Sequence, residues 1–164
     1  MYPRTEPPFR ADHVGSLLRP PELLQARADL DSGLIDPVEL RAVEDEAIRE
    51  VVTMQADVGL RTATDGEFRR ASWHMDFIYR LGGVTRAAET MTVEFRNAEG
   101  TLDFTPAALH VDAPVALEEP IFAADFQFVQ SCVTSATPKL TIPSPSMVHY
   151  RGGRPSSASL MWRM

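Results

Sequence analysis

The sequence predicts an α/β protein built as part of a TIM, or (β/α)8, barrel, and three short segments support this prediction. They are Asp12–Ser16, Thr64–Arg70 and Thr141–Pro145, and each begins with apolar or strand-like residues and ends in polar residues, glycine or proline. Stretches with helical patterns separate them. A strand that ends in reactive side chains and leads into a helix is how a TIM barrel builds the rim of its active site.

Length and composition restrict the class of protein. The 164 residues suffice for one domain with a hydrophobic core, whereas a complete TIM barrel typically has ~250 residues. A net charge of −7 argues against nucleic-acid binding, because no basic stripe is available to neutralise phosphates. No apolar run reaches the ~20 residues of a membrane span, and no signal peptide is visible. We therefore expect a cytoplasmic protein without a membrane partner.

The N-terminal part of the chain predicts an arm, a strand and a helix. Residues 1–10 are polar and rich in proline, and we expect an extended arm there. Residues 11–16 are expected to form the first short strand, at the start of a barrel segment that covers residues 11–150. Pro20 and Pro21 suit the beginning of a helix, because proline fits the first helical turn. The Asp31-Ser32-Gly33 sequence is expected to interrupt that helix.

The clearest predicted element is a long helix that begins at Pro37 and ends before Gly59. Asp36 suits the N-cap and Glu39 completes a capping box. Glycine at position 59 is placed to end the helix in a left-handed conformation. The apolar residues that recur at intervals of three and four predict one buried stripe, which consists of Leu40, Val43, Ala47, Val51, Met54 and Val58. The helix leads into a second predicted strand, residues 61–64.

The pattern then changes from helical to alternating. Residues 71–81 predict a helix, with Trp73, Phe77 and Leu81 on one face. Alternation of apolar and polar residues on both sides of positions 97–100 predicts a β-hairpin, which we interpret as an insertion over about residues 84–112. Residues 106–120 are expected to be irregular.

The C-terminal part predicts one more helix and one more strand. Residues 121–135 are expected to form a helix that turns Phe122, Phe126 and Val129 inward. Residues 139–142 are expected to form the third barrel-type strand, which the following prolines stop. Cys132, the single cysteine, excludes an intrachain disulfide and is expected to be a buried structural thiol. Residues 151–164 lack periodicity, and we interpret them as a truncated or frame-shifted tail, with an ordinary disordered tail as the alternative.

Two segments carry the candidate binding chemistry. The turn at Gly15 and Ser16 offers backbone N–H groups and a hydroxyl, which suit a carboxylate. Glu67, at the end of the second strand, can accept hydrogen bonds from an ammonium group, so the two segments together can hold both ends of an α-amino acid. Each signal has a structural alternative: Gly-Ser is common in turns, Glu67 can form a surface ion pair or face a helix dipole, and Asp65 can be a helix cap.

The histidines and the third segment give weaker signals. His13 precedes the Gly-Ser turn, but no His-x-Cys or Cys-x-x-Cys spacing accompanies it or any other histidine, so no metal site is predicted from spacing. The residues around Ser144 form a rigid Pro-Ser-Pro corner, and contact between the Ser144 hydroxyl and a ligand is a secondary possibility.

Taken together and in this order, the motifs resemble the cobalamin-independent methionine synthase family, over about residues 8–152. The resemblance rests on three runs of sequence, namely Phe9–Pro20, Thr64–Arg70 followed by Trp73 and His74, and Lys139–Pro145. Within that family, the segments resemble the catalytic C-terminal domain and the short single-domain relatives. The resemblance implies a TIM barrel related to uroporphyrinogen decarboxylase, of which this chain holds the N-terminal half.

The resemblance also implies a reaction. In the family, zinc binds the sulfur of homocysteine as a thiolate, and methyltetrahydrofolate supplies the methyl group. The family motifs assign Val14, Gly15 and Ser16 to the carboxylate end of homocysteine and Glu67 to its amino end. The family's zinc ligands are a His-x-Cys pair, a Glu and a further Cys in the later half of the barrel. This chain has no His-x-Cys pair, so an incomplete, inactive form is expected.

Two alternatives remain open. Short relatives of the family include members that use other thiols and methyl donors, so the chain can belong to another thiol alkyl-transferase or to a decarboxylase on the same barrel. The other alternative is a non-catalytic fragment that binds an amino acid weakly or binds nothing.

Overall fold

A computed structural model describes residues 11–87, 93–97, 100–104 and 107–151. In these ranges the chain is an α/β protein that divides into two units. Among the described residues, the first unit comprises residues 11–73 and 122–142, and the second comprises those within residues 74–121 and 143–151. The predicted arm, residues 1–10, and the predicted tail beyond Arg151 lie outside the described residues.

Two helices, α1 (Pro21–Asp31) and α2 (Pro37–Asp57), begin where the sequence predicts them. The capping box is confirmed, because the Asp36 side chain accepts hydrogen bonds from two backbone amides while the Glu39 side chain accepts from the Asp36 amide at 2.9 Å. Gly59 adopts a φ of +86°, as expected for the residue that ends the helix. The starts of α1 and α2 and the end of α2 thus follow their local signals.

The buried face of α2 differs from the predicted apolar stripe. The buried positions are Glu44, Ala47, Ile48, Val51, Val52 and Gln55. Met54 and Val58, which the stripe included, are 42% and 67% exposed. The prediction was wrong there because Gln55, the residue after Met54, takes the inward position in the last turn, where the Thr64 backbone is its polar partner. Glu44 is likewise buried, with Arg69 as its partner.

Three parallel chain segments lie side by side in the first unit. Strand β1 (Thr62–Ala63) pairs in parallel with β6 (Thr137–Pro138), and the amide of Lys139 donates to the Ala63 carbonyl at 2.8 Å. The predicted third strand is therefore shifted, since residues 139–142 follow β6 without belonging to it. Residues 11–16 form no strand, so that prediction was also wrong.

The segment of residues 11–17 nevertheless runs alongside β1. The Thr62 hydroxyl donates to Asp12 at 2.5 Å, and the Leu17 amide donates to the Gly66 carbonyl at 3.1 Å. One side-chain bond and one backbone bond thus hold this segment beside β1 without a regular ladder. The C-terminal ends of all three segments lie in the first unit, where they meet around Glu67.

The core of the first unit lies between α1, α2, β1 and helix α4 (Ala123–Cys132). It consists of Leu23, Ala47, Ile48, Val51, Val52, Ala63, Phe68 and Val129. Helix α4 is shorter than the predicted 121–135. Of its expected inward residues, Phe122 and Val129 are buried and Phe126 is half-buried. Cys132, predicted to be buried, is half-buried against this core.

The second unit begins with a helix much shorter than the predicted 71–81. Helix α3 covers only Met75–Ile78. Before it, the carbonyl groups of Arg70 and Trp73 accept hydrogen bonds from arginine side chains. In a helix that began at residue 71, these carbonyl groups would instead accept from backbone amides four residues later. Trp73, placed on a helix face by the sequence, precedes α3 and is 45% exposed.

Two antiparallel strand pairs and a short helix complete the second unit. Strand β2 (Gly82–Arg86) pairs with β5 (Leu109–Ala116), which contradicts the expectation that residues 106–120 are irregular. The register shifts beside Gly83, whose φ is +77° and where a Cβ would lie 2.6 Å from the Ala113 carbonyl oxygen. A glycine-dependent bulge of this kind leaves little alternating signal in the sequence.

The other pair lies in the region predicted to form a hairpin. Strand β3 (Val93–Asn97) pairs antiparallel with β4 (Gly100–Phe104), with Asn97 opposite Gly100. The interpretation of this region as an insertion in a barrel stays a prediction. Helix α5 (Ser146–Arg151) packs Met147 and Val148 against a small core made of Met75, Ile78, Val84 and Leu109.

Candidate functional site

A cleft of about 340 Å³ opens at the ends of the three parallel segments of the first unit. Its lining residues are Val14, Gly15, Ser16, Glu67, Trp73, Thr141 and Ile142. Three of these are apolar and exposed, with Val14 77%, Ile142 58% and Trp73 45% accessible. The cleft therefore combines an apolar rim with a polar floor, which is the usual composition of a small-molecule site.

The Glu67 carboxylate forms the floor, and hydroxyl groups from both neighbouring segments donate to it. Ser16 Oγ donates to Oε2 at 2.5 Å, and Thr141 Oγ1 donates to Oε1 at 2.6 Å. Arg70 Nη1 lies 3.5 Å from Oε1. Glu67 is only 1% exposed, so these donors and this cation offset the cost of burying its charge.

The backbone of Glu67 is held in a conformation that is rare for a non-glycine residue. Its φ is +59°, and Gly66 before it also has a positive φ of +62°. The Asp65 side chain accepts from the Glu67 amide at 2.9 Å, and the Thr64 hydroxyl accepts from the Gly66 amide at 3.1 Å. Such conformations persist where the surroundings fix them, and they are concentrated at functional sites.

Two arginines from the N-terminal part of the chain fix the loop that follows Glu67. Arg19 Nη2 donates to the carbonyl oxygens of Glu67 and Arg70, at 3.3 and 2.6 Å. Arg27, on α1, donates to the carbonyl oxygens of Phe68 and Arg70. The loop therefore has its carbonyl groups satisfied by cationic side chains, and it is anchored to α1 and to the segment before it.

Two aspartates near the cleft have shifted pKa values of opposite sign. Burial raises the pKa of Asp65, although the hydrogen bond from the Glu67 amide acts in the other direction. Hydrogen bonds from Lys139 and then from Thr62 lower the pKa of Asp12 to about 2. Asp12 thus stays ionised and pairs with Lys139 at 2.7 Å. Lys139 also donates to the His13 carbonyl.

The structure brings most of the sequence-predicted site residues together. Val14, Gly15, Ser16 and Glu67 all line the cleft. Glu67 does pair with Arg70, at 3.5 Å, but both side chains are buried, so the structural alternative of an ion pair at the surface is wrong about its location.

The other predicted site residues lie outside the lining of the cleft. Asp65 accepts from the amide of Glu67 in a turn, and no helix begins there. The His13 ring lies 2.7 Å from the Gly15 carbonyl oxygen. Ser144 belongs to the second unit, where its hydroxyl is hydrogen-bonded to that of Ser146 at 2.6 Å.

Sequence reasoning assigned no site role to Thr141, Ile142, Trp73 or Arg70. Thr141 and Ile142 end the third parallel segment, so the strand-end rule that selected Ser16 and Glu67 could have found them. Arg70 gave no such signal, because a charged residue beside Glu67 is expected at the surface. Its burial depends on partners distant in sequence, such as the Thr141 carbonyl at 2.8 Å.

Two kinds of feature are absent from the described ranges. In residues 11–87, 93–97, 100–104 and 107–151, no group of three or more His, Cys, Asp or Glu side chains is arranged to hold a metal ion. In the same part of the chain, every helix is too short or too polar to cross a membrane.

Comparisons with known proteins give the fold and the family. A solved structure of a proposed vitamin-B12-independent methionine synthase from Listeria monocytogenes is 38% identical, has a TM-score of 0.67, and matches 88% of this chain and 39% of its own. The uncharacterized protein YxjG of Bacillus subtilis (strain 168) is 39% identical over 91% of this chain and 38% of its own length. No protein-family model matches the sequence.

A more distant relative carries a defined enzyme name. A 5-methyltetrahydropteroyltriglutamate–homocysteine methyltransferase from Synechococcus sp. (strain JA-2-3B'a(2-13)) is 27% identical over 76% of this chain and 16% of its own length. The chain is thus an α/β protein with the fold of the vitamin-B12-independent methionine synthases, which is of the TIM-barrel type. It is homologous to part of the cobalamin-independent methionine synthase family, as its motifs predicted.

The chain matches only part of each of these relatives. The chain spans about two fifths of the length of the Bacillus and Listeria proteins, and less than a fifth of the methyltransferase. The relatives therefore support a shared fold and ancestry over this part, and the function of this chain is a proposal.

Proposed function

We propose that this chain carries the amino-acid-binding part of a methionine-synthase-like methyltransferase site, and that its cleft holds homocysteine or a similar small thiol. The observation that carries the proposal is the meeting of Ser16 and Glu67 at the floor of one cleft. A hydroxyl beside a turn and a buried carboxylate together match the two charged ends of an α-amino acid.

The geometry suggests how such a ligand exchanges with the internal hydrogen bonds. In the unliganded site Ser16 Oγ donates to Glu67 Oε2. A ligand ammonium takes that acceptor oxygen, while the Ser16 hydroxyl and the amides of the Gly15–Ser16 turn become available to the ligand carboxylate. The methylene groups and sulfur then lie against the apolar rim, which includes Val14, Trp73 and Ile142. The chain's own residues thus bind and orient the thiol.

The methyl transfer itself is proposed from the family resemblance and not from the geometry of the cleft. In the family that the motifs resemble, zinc keeps the thiol deprotonated and methyltetrahydrofolate supplies the methyl group. The described residues offer no set of ligands that fits zinc, so the role proposed for them is to bind and orient the thiol. Incompleteness of this chain as an enzyme, the methyl donor and a cytoplasmic location stay predictions from the sequence.

Calorimetric titration of the purified chain with L-homocysteine tests the proposal. We expect saturable binding, and a Glu67→Gln variant that binds at least about tenfold more weakly, because a charge-assisted hydrogen bond to the ammonium is lost. Glu50→Gln is the matched control, since Glu50 is an exposed acid on α2, and it should bind like the wild type. No binding by the wild-type chain, or equal affinity in Glu67→Gln, would contradict the proposal.

A further inference from the structure

Arg70 contacts Glu67, at the floor of the cleft, and the backbone of two other residues that line it. Its side chain is 3% exposed, and its Nη1 atom lies 3.5 Å from Glu67 Oε1. The two terminal nitrogens donate to the carbonyl oxygens of Trp73 and Thr141, at 3.2 and 2.8 Å. One guanidinium group therefore contacts the acceptor residue and the backbone of two residues that line the cleft.

Arg70 also lies between the two strained backbone positions of the described residues. Within residues 11–87, 93–97, 100–104 and 107–151, Glu67 and Phe122 are the non-glycine residues with positive φ, at 59° and 60°. The Arg70 guanidinium carbon lies 4.4 Å from the centre of the Phe122 ring. Since such conformations need surroundings that fix them, a buried side chain that contacts both residues is well placed to do so.

The contacts require an arginine in particular. A planar guanidinium can stack on an aromatic ring while its edge donates to two carbonyl groups in different directions. A lysine ammonium supplies the same charge, but it cannot stack and reach both carbonyl groups at once. A conservative change to lysine therefore separates the effect of charge from the effect of shape.

We propose that Arg70 is a positioning residue that fixes the Glu67 carboxylate for the amino group of the bound thiol. It holds one oxygen of the carboxylate by its charge. Its shape lets it stack on the Phe122 ring while it donates to the Trp73 and Thr141 carbonyl groups, and these contacts keep Glu67 and Phe122 in their positive-φ conformations. The part of this inference that concerns the ligand rests on the proposed function. The part that concerns the conformation of Glu67 does not.

The ligand experiment compares Arg70→Lys with Arg69→Lys in the full chain. Arg69 is the matched control, because its side chain is 5% exposed, pairs with Glu44 and Asp45, and lies 4.9 Å from the ring of Phe128. Each variant is titrated with L-homocysteine and with 4-mercaptobutyrate, which has the thiol and carboxylate but lacks the amino group.

Only Arg70→Lys should distinguish the two ligands. We expect its affinity for L-homocysteine to fall about tenfold while its affinity for 4-mercaptobutyrate changes by less than about twofold. A purely structural role would weaken both ligands alike, and that result would overturn the proposal. Arg69→Lys should lose stability but treat both ligands as the wild type does. Should Arg70→Lys fail to fold, Phe122→Leu removes the stacking partner, keeps the charge, and should discriminate in the same direction.

A measurement without ligand separates failure of this inference from failure of the proposed function. Backbone and Cβ carbon chemical shifts of Glu67 and Phe122 report whether φ is positive. They should move toward ordinary values in Arg70→Lys and stay unchanged in Arg69→Lys. If wild type binds no homocysteine but these shifts move as expected, the ligand assignment is wrong and the positioning role stands. If the shifts do not move, the positioning role is wrong whatever the chain binds.

Discussion

The side-chain amide of Gln55 pairs with the backbone of Thr64 as a neighbouring strand would. Its Nε2 atom donates to the Thr64 carbonyl at 2.8 Å, and its Oε1 atom accepts from the Thr64 amide at 3.0 Å. Gln55 is 1% exposed and lies on α2, so one side chain attaches this helix to the residue that precedes the Glu67 loop. The geometry of the candidate site therefore depends on a polar residue in the core.

Replacement of Gln55 by leucine should destabilise the chain by about 2–4 kcal/mol, because the Thr64 amide and carbonyl would be left buried without these partners. Urea unfolding followed by circular dichroism measures the change. Gln25→Leu is the control, since Gln25 is exposed on α1 and its side-chain amide donates to Asp29, one turn along the same helix. That variant should stay within about 0.5 kcal/mol of the wild type. Equal effects of the two substitutions would contradict a special role for Gln55.

Asp12 should stabilise the folded chain at neutral pH and cease to do so in acid. Its pKa in the folded state is lowered from 3.8 to about 2, chiefly by Lys139. The unfolded chain therefore takes up the proton first, so the contribution is complete above about pH 4 and is lost as the pH falls through about 2. Urea midpoints between pH 2 and 6 should change less with pH in Asp12→Asn and in Lys139→Met than in the wild type. A wild-type slope in both variants would exclude the pair as its source.

Asp65 should show the opposite dependence. Burial raises its pKa in the folded state, so its ionisation opposes folding, and its contribution to stability is lost as the pH rises through that raised value. Asp65→Asn keeps an oxygen that can accept from the Glu67 amide, at 2.9 Å in the wild type, but cannot ionise. The stability of this variant relative to wild type should therefore increase with pH above about 4. Parallel curves in a pH series of urea unfolding would refute this sign.

Local signals in the sequence were sufficient for features that depend on neighbouring residues. The capping box at Asp36 and Glu39 and the left-handed Gly59 were predicted correctly, because their partners lie within a few residues. The predicted strands at residues 11–16 and 139–142 were not found as such. Their position depends on pairing with β1, which is distant in the sequence and only two residues long.

In the candidate site, too, the residues marked by local sequence signals were predicted, and those that depend on distant partners were missed. The strand-end rule selected Ser16 and Glu67, and the structure places them in contact. Arg70 could not be selected, because its burial depends on partners far along the chain, namely Thr141 and Phe122. The burial of two polar residues of α2 was missed for a related reason. Periodicity treats Glu44 and Gln55 as exposed, whereas Arg69 and the Thr64 backbone satisfy them inside the core.

Gly66 provides a test of whether the loop before Glu67 is as tightly constrained as its contacts indicate. Its φ is +62°, and a Cβ there would lie 3.0 Å from the Phe68 ring and 3.3 Å from Leu17 Cβ. Gly33 also has a positive φ, +75°, but has open space around it. Gly33→Ala should therefore cost only the backbone strain, about 1–2 kcal/mol. Gly66→Ala should cost at least about 1 kcal/mol more in urea unfolding, because neighbouring side chains must also move. Equal losses of unfolding free energy in the two variants would show that Phe68 and Leu17 can move without cost. The Glu67 loop would then be less constrained than its contacts imply.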